Sequence, residues 1–411
     1  MSHASYQDAI TVDSPRAWAR LAVCVLICAL GGVGMWSIVV ALPAVQADFG
    51  VARASASAPY TLTMLAFGFG GIALGRLADR RGAATAVVAG TVALSLGYFL
   101  SALTTNFVLF TLLQGGLIGF GASATFAPLV ADISHWFEKR RGIAVAICAS
   151  GNYLAGAFWP PVLQHFISTY GWRATHIGVG IACLALIPLL ALFLRGPSAH
   201  GRLSATTPGA TRLLDAGMSN GALQALLVVA GIACCVAMSM PQVHIVAYCG
   251  DLGYGPARGA DMLALMLGFG IVSRIASGFL ADRIGGVPTL LVGSFLQGVA
   301  LLLYLFFDGL GALYVISALF GLFQGGIVPS YAIIVREYFE PKEAGARVGA
   351  VMMATLVGMA LGGWVSGLIY DLTGGYRAAF ANGLAWNLVN VTISSFLLLR
   401  SGGLGRAFGA R

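Results

Sequence analysis

The chain has 411 residues, 58% of them hydrophobic and only 9% charged, with a mean hydropathy of +0.87. A soluble domain carries roughly a quarter charged residues, so the composition excludes a water-soluble globular protein and implies a polytopic membrane protein. The net charge of +8 does not mark a nucleic-acid binder, because no basic cluster is interleaved with aromatic residues.

The first 18 residues are polar. The apolar segment that follows, Leu21 to about Val45, is too long for the core of a cleaved signal peptide and reads as a first permanent span. About twelve apolar segments succeed one another, each long enough to cross a bilayer of roughly 30 Å. They centre near residues 33, 66, 94, 119, 154, 184, 235, 270, 297, 324, 357 and 388. The longest polar interruption, "RGPSAHGRLSATTPGATRLLDAGMSN", is rich in Pro, Gly, Ser and Thr and reads as a linker. It divides the chain into an N-terminal six-helix half (1–195), a linker (196–219) and a C-terminal six-helix half (220–411).

The halves echo each other. "GRLADRRG" at 75–82 returns as "GFLADRIG" at 278–285, "LLQGGLIG" at 112–119 as "GLFQGGIV" at 321–328, and "YGWRA" at 170–174 as "GGYRA" at 374–378. With six spans per half, the copies are parallel repeats, and the expected fold is an all-α membrane protein of twelve transmembrane helices. Charge asymmetry supports the topology. With the N-terminus in the cytoplasm, only Arg53, Arg173, Arg258 and Arg377 of the 23 Lys and Arg fall outside, and Arg274 alone falls within the membrane. Both termini are then cytoplasmic, and the membrane is the cell (inner) membrane.

Seven cysteines (Cys24, Cys28, Cys148, Cys183, Cys234, Cys235, Cys249) lie in apolar segments without CxxC or Cys/His spacing, so they read as packing residues, with no metal and no disulfide framework. The glycine-rich "FGFGGIALG" (67–75) lies inside a span and is no phosphate loop. Gly71 with Gly75, and Gly363 with Gly367, form small-xxx-small faces suited to close helix contact. No cofactor is implied.

The two LADR stretches bridge neighbouring spans at the inner face. Their glycines suit tight turns, and Asp79 is placed to cap the next helix or to pair with a neighbour. Here the chain resembles the major facilitator superfamily, whose signature G-x-L-a-D-r-x-G is filled by Gly75, Leu77, Asp79, Arg80 and Gly82. The second copy supplies Gly278, Leu280, Asp282, Arg283 and Gly285. The resemblance implies that these residues latch the cytoplasmic side, commonly with an acid at the inner end of the fourth span, a position matched by Asp132.

A narrower resemblance covers about a quarter of the chain. The stretch 135–173, with Phe137, Arg140, Arg141, Ala144, Gly151, Gly156, Pro161 and Gly171-Trp172-Arg173, is similar to monocarboxylate transporters and their oxalate–formate antiporter relatives, as is "MPQVHIVAYCGDLG" (240–253). That group carries a carboxylate-binding arginine in the eighth span, and Arg274 stands there. The physical argument agrees independently. A mid-membrane arginine costs at least about 2.5–3.5 kcal/mol, so it normally faces an internal cavity with a partner. A guanidinium offers a planar fork to a carboxylate; structural pairing with carbonyls or water is the alternative. The chain also departs from the group. Gly270 stands where mammalian members pair the arginine with an aspartate, the first span has no lysine, its pattern is reduced to "LGGVGMW" (30–36), and the eleventh span carries no charge. One deep cation favours a monoanion.

The expected function is therefore secondary transport of a small organic monocarboxylate, proton-linked, by alternating access, with a proton or counter-anion and the lipid bilayer as partners and a monomer as the working state. An oxalate/formate-type exchanger, a carrier of a larger aromatic or vitamin-like solute, and a lipophilic-compound efflux pump stay open. No HExxH motif points to an enzyme. His244, whose side chain ordinarily titrates near 6.5, is the candidate proton-coupling residue; a histidine satisfied by a carbonyl is its alternative. Substrate-binding candidates besides Arg274 are Tyr331, Asn152, Gln324 and Tyr248.

Overall fold

In lipid every backbone amide must be satisfied within its own segment, and the long apolar runs accordingly form helices. The computed structural model describes residues 12–195 and 217–400, and among these no strand occurs. The greater part of the expected linker, 196–216, lies outside them. The elements are α1 (Pro15–Gly31), α2 (Val33–Phe49), α3 (Arg53–Arg81), α4 (Ala83–Leu103), α5 (Phe107–Leu112), a π-helical stretch (Leu113–Ile118), α6 (Gly119–Ser123), α7 (Ala127–Trp136) and α8 (Arg141–Ala191). They continue with α9 (Asn220–Asp251), α10 (Pro256–Ile284), α11 (Gly286–Phe306), α12 (Leu310–Gln324), α13 (Ile327–Tyr338), α14 (Pro341–Thr373) and α15 (Arg377–Arg400).

Among the described residues, eleven continuous stretches are long and apolar enough to span. One of them, Arg141–Leu194, holds two spans, because Gly171 (φ 81°, ψ 160°) breaks α8 where only glycine sits without strain. Twelve spans result. Local chemistry fixes their ends. Ser14 caps α1 through the Ala17 amide (3.3 Å) with Pro15 at the first helical position, Asn106 caps α5 through Leu109 (3.0 Å), and Ser219 caps α9 through Ala222 (3.3 Å).

Contacts group the chain into two units, Met1–Phe49 with Leu62–Pro208 and Gly50–Thr61 with Gly209–Arg411. In the first, α8 packs most extensively on α1 and α4; in the second, α9 packs on α14 and α15, α10 on α12, and α11 on α15. One short segment groups otherwise than its place in the sequence suggests. Residues 50–61 belong to the second unit because the Asp371 carboxylate accepts the Arg53 and Ala54 amides at 2.9 and 2.8 Å.

Glycine contacts separate the two small-residue faces. A side chain at Gly363 would meet the Tyr60 ring at 3.0 Å, and one at Gly367 would meet Ala54 Cα and Arg53 O at 3.0 Å, so this face is a close helix contact. Gly71 and Gly75 are not. Gly71 has only Ala127 Cβ nearby at 3.6 Å and Gly75 faces open space, while the neighbouring Gly70 makes the close approach, to Ser123. The expected face is rotated by one residue.

Candidate functional site

The second unit holds most of the site residues. Arg274 lies about three turns from the near end of α10 and is half-buried. The helix crosses α12 at glycines: a side chain at Gly325 would collide with Gly270 O and come within 2.8 Å of Ser273 Cβ. Arg274 and Gln324 are each one residue from that Ser273–Gly325 contact. Gln324 is fully buried and accepts from Gln242 Nε2 (2.8 Å), and its own amide nitrogen has no protein partner. An unpaired buried donor is costly, so this amide is suited to meet a ligand oxygen.

Tyr331 is fully buried and donates to Asn390 Oδ1 (2.9 Å), whose amide donates to Ser294 Oγ (2.7 Å). Asn387 adds bonds to Ser294 O (3.1 Å) and Gln297 Oε1 (3.2 Å). Tyr331 thus stands inside a polar network joining α13, α15 and α11. Ser294, Gln297, Asn387 and Asn390 belong to none of the motifs in the sequence. Helical spacing, Asn387–Asn390–Ser394 on one face, is the signal that could have found them.

His244 is fully buried, and its Nε2 lies 2.8 Å from Gly363 O. A carbonyl acceptor requires Nε2 to carry the hydrogen. Its Nδ1 lies 3.0 Å from the Tyr376 hydroxyl, which also accepts from Arg53 Nη1. Burial pushes the Tyr376 phenol well above its ordinary range, so the hydroxyl keeps its proton and can donate it to Nδ1. A directed chain results: Arg53 to Tyr376, Tyr376 to His244, His244 to Gly363 O. Arg53 is anchored beyond it by Asp251, with Nη1–Oδ2 and Nη2–Oδ1 both 3.1 Å, and by the Tyr370 ring at 4.4 Å. Both alternatives for His244 are therefore physically present: a carbonyl satisfies it, and a hydroxyl links it to an ion pair.

Tyr248 packs edge-on against Tyr376 and Phe380 and lines a cavity of about 410 Å³ with Asp251, Asp308 and Arg377. It thus keeps company with carboxylates at the end of α9.

In the first unit Asn152 is half-buried on α8, its Oδ1 3.2 Å from where a side chain at Gly32 would begin. It stands beside the break between α1 and α2, where "LGGVGMW" serves packing: side chains at Gly31, Gly32 and Gly34 would overlap Thr125, Ala155 and Ala122. Asp132 is buried and held by Arg20 through two bonds, Nε–Oδ2 at 2.7 Å and Nη2–Oδ1 at 3.0 Å. Arg20 also donates to Leu194 O (3.1 Å) and lies over the Trp136 ring (4.6 Å). Arg20 carried no motif and was not anticipated.

The LADR stretches are almost wholly helical. Each loop is a single glycine, Gly82 (φ 87°) or Gly285 (φ 89°). Asp79 and Arg80, with Asp282 and Arg283, occupy exposed last turns and form no ion pair among the described residues. Gly75 and Gly278 face open space. Asp79 does not cap α4, whose start has no side-chain cap; in the second copy Glu337 does that work, accepting from the Gly286 amide at 3.0 and 3.2 Å. All seven cysteines are buried and free.

Among the described residues, twelve apolar spans in two units make the chain a multi-pass membrane protein. The family model for the Major Facilitator Superfamily matches residues 24–310 and 251–408, and the chain belongs to that superfamily. It is 30% identical over 336 residues to monocarboxylate transporter 13 of Bos taurus, covering 79% of this chain and 74% of the relative. It is 25% identical over 300 residues to the agnestins efflux protein AgnL12 of Paecilomyces divaricatus (71% and 67% covered). Among solved structures, a bacterial homologue of the human lysosomal transporter Spinster, inward-facing and unoccupied, superposes with a TM-score of 0.71 at 17% identity, covering 95% of this chain and 98% of the other.

Proposed function

We propose that the protein carries a small organic monocarboxylate across the cell membrane by alternating access, coupled to protons, with both termini cytoplasmic. Arg274 receives the carboxylate and Gln324 donates to it. The observation that carries this reading is the level of Arg274. Among the described residues, each acid of the second unit stands within about two turns of a helix end, whereas the arginine stands deep in α10. A cation retained there against a cost of several kcal/mol is best explained by an anionic ligand. Similarity to monocarboxylate transporter 13 supports the same substrate class. Proton coupling rests on His244, whose hydrogen-bonded chain runs to the exposed side of Asp251.

A second reading, export of a larger organic solute, is favoured by the efflux-named relative and by Gly270, which adds no charge beside Arg274. Purified protein in liposomes, offered labelled lactate, pyruvate, formate, oxalate and benzoate, tests both readings. Uptake is measured with an inward proton gradient and, separately, with unlabelled anion preloaded inside. Saturable gradient-driven uptake of a monoanion supports the proposal. Stimulation by preloading alone favours an exchanger, and silence across the panel favours the larger solute.

A further inference from the structure

Within the first unit, a cavity of about 530 Å³ opens between the start of α4 and the last turns of α8, and it is lined by Arg81, Val88, Ala89, Pro188, Leu192 and Arg195. Its two guanidinium-bearing residues stand at the rim, and apart from Thr85 its remaining lining residues are apolar or glycine. Neither Arg81 nor Arg195 forms an ion pair among the described residues, so the rim carries two uncompensated positive charges.

The rim is built rather than incidental. Gly82, at φ 87°, reverses the chain directly after Arg81, and the Thr85 hydroxyl donates to Arg81 O (2.9 Å), holding that turn. Arg195 follows a 3₁₀ turn, Leu192–Leu194, that closes with Arg195 N to Leu192 O (3.1 Å). The same turn is pinned from inside by Arg20, which donates to Leu194 O while gripping Asp132. In the second unit the matching turn at Gly285 is satisfied from within by the Glu337 carboxylate on Gly286. In the first, no side chain caps the start of α4.

Two arginines over an apolar wall fit an amphipathic anion. A phosphodiester offers the oxygens that guanidinium groups bind most strongly. Acyl chains would lie along Val88 and Leu192 and past Phe193, which are half- to well-exposed on this lateral face. Basic pockets between spanning helices bind anionic headgroups by this chemistry. We propose that this cavity is a binding site for an anionic phospholipid, with its phosphate between Arg81 and Arg195. The site uses none of the residues assigned to the carboxylate, and it stands or falls independently of the substrate.

The test uses the full-length protein in nanodiscs of phosphatidylcholine, titrated with phosphatidylglycerol, and reads the thermal unfolding temperature together with lipid retained in native mass spectra. The wild type is expected to show a saturable rise and one tightly retained phosphatidylglycerol. Arg81→Gln with Arg195→Gln is expected to weaken the half-saturating concentration by roughly thirtyfold, at about 1 kcal/mol for each arginine. Ala89→Phe, at an exposed position inside the cavity, is expected to remove the retained lipid without altering the unfolding temperature in pure phosphatidylcholine. Arg283→Gln, in the second copy of the motif, should change neither reading. An undiminished response in the double variant would overturn the site. So would an equal response to inorganic phosphate, which would mark a free-anion site, or to further phosphatidylcholine, which would mark a neutral groove.

Discussion

The imidazole of His244 and the hydroxyl of Tyr376 lie 3.0 Å apart, and the ring's other nitrogen is held 2.8 Å from Gly363 O, so His244 bridges α14 and an arginine-linked phenol with no nitrogen to spare. This arrangement makes substitution by glutamine informative. A glutamine can donate to Gly363 O and accept from Tyr376, but it cannot titrate. His244→Gln should therefore fold with near wild-type stability. If His244 carries the proton, wild-type uptake should rise as external pH falls. The variant's uptake should be flat with pH while exchange against preloaded anion survives. An unchanged pH profile would make His244 a structural bridge.

Tyr376→Phe tests the same chain from its middle. It removes the donor to Nδ1 and one acceptor of Arg53, leaving two buried groups short of partners at about 1–3 kcal/mol. A lower unfolding temperature with loss of the proton-gradient response is expected. Full stability and coupling would show that Tyr376 is a bystander.

Arg20 and Asp132 make a different kind of pair, buried at both ends. Asp132→Ala strands a buried guanidinium, and breaking such a pair costs about 3–5 kcal/mol. The double variant Arg20→Ala, Asp132→Ala should be less destabilised than the sum of its parts, because neither charge is then left alone. Calorimetry of the four proteins checks both statements, and additive losses would mean that the pair is not coupled.

Two glycines should respond oppositely to a side chain. At Gly362 a β-carbon would meet Val236 O at 2.5 Å and Val236 Cα at 2.7 Å, backbone that cannot step aside, so Gly362→Val should abolish folded protein or cost well over the roughly 1–3 kcal/mol of ordinary overpacking. At Gly75 nothing lies within 4 Å, so Gly75→Ala should be neutral or stabilising by up to about 1 kcal/mol. Expression and unfolding temperature distinguish the two. Equal tolerance would contradict the close α9–α14 contact.

These residues also mark how far the sequence could be read. Span positions and the paired LADR stretches are legible because hydrophobic length and repeated local chemistry are one-dimensional. The Gly171 break is legible too, since it falls between two apolar centres. What stays hidden depends on partners far along the chain. Arg20 finds Asp132 across 112 positions and Arg53 finds Asp251 across 198, so neither arginine looks different from a topology-setting surface charge. The π-helical Leu113–Ile118, LQGGLI, has one glutamine and two glycines among apolar residues and gives no period to betray it. Gly70 and Gly75 look alike until the facing helix decides which one is crowded. Arg274 is the exception, because a charge in the middle of a span needs no partner to be noticed.

The most direct test of the account compares wild type with Arg274→Gln and Arg274→Lys in liposomes, measuring initial uptake of labelled monocarboxylates against concentration. Loss of a charge-assisted pair worth about 1.5–3 kcal/mol predicts a ten- to hundredfold or larger fall in kcat/KM for Arg274→Gln. Arg274→Lys should recover only part of it, since a point charge replaces a fork. All three proteins should unfold at similar temperatures. Saturable uptake of undiminished affinity in Arg274→Gln would contradict the account, because the deep cation would then serve the fold and not the substrate.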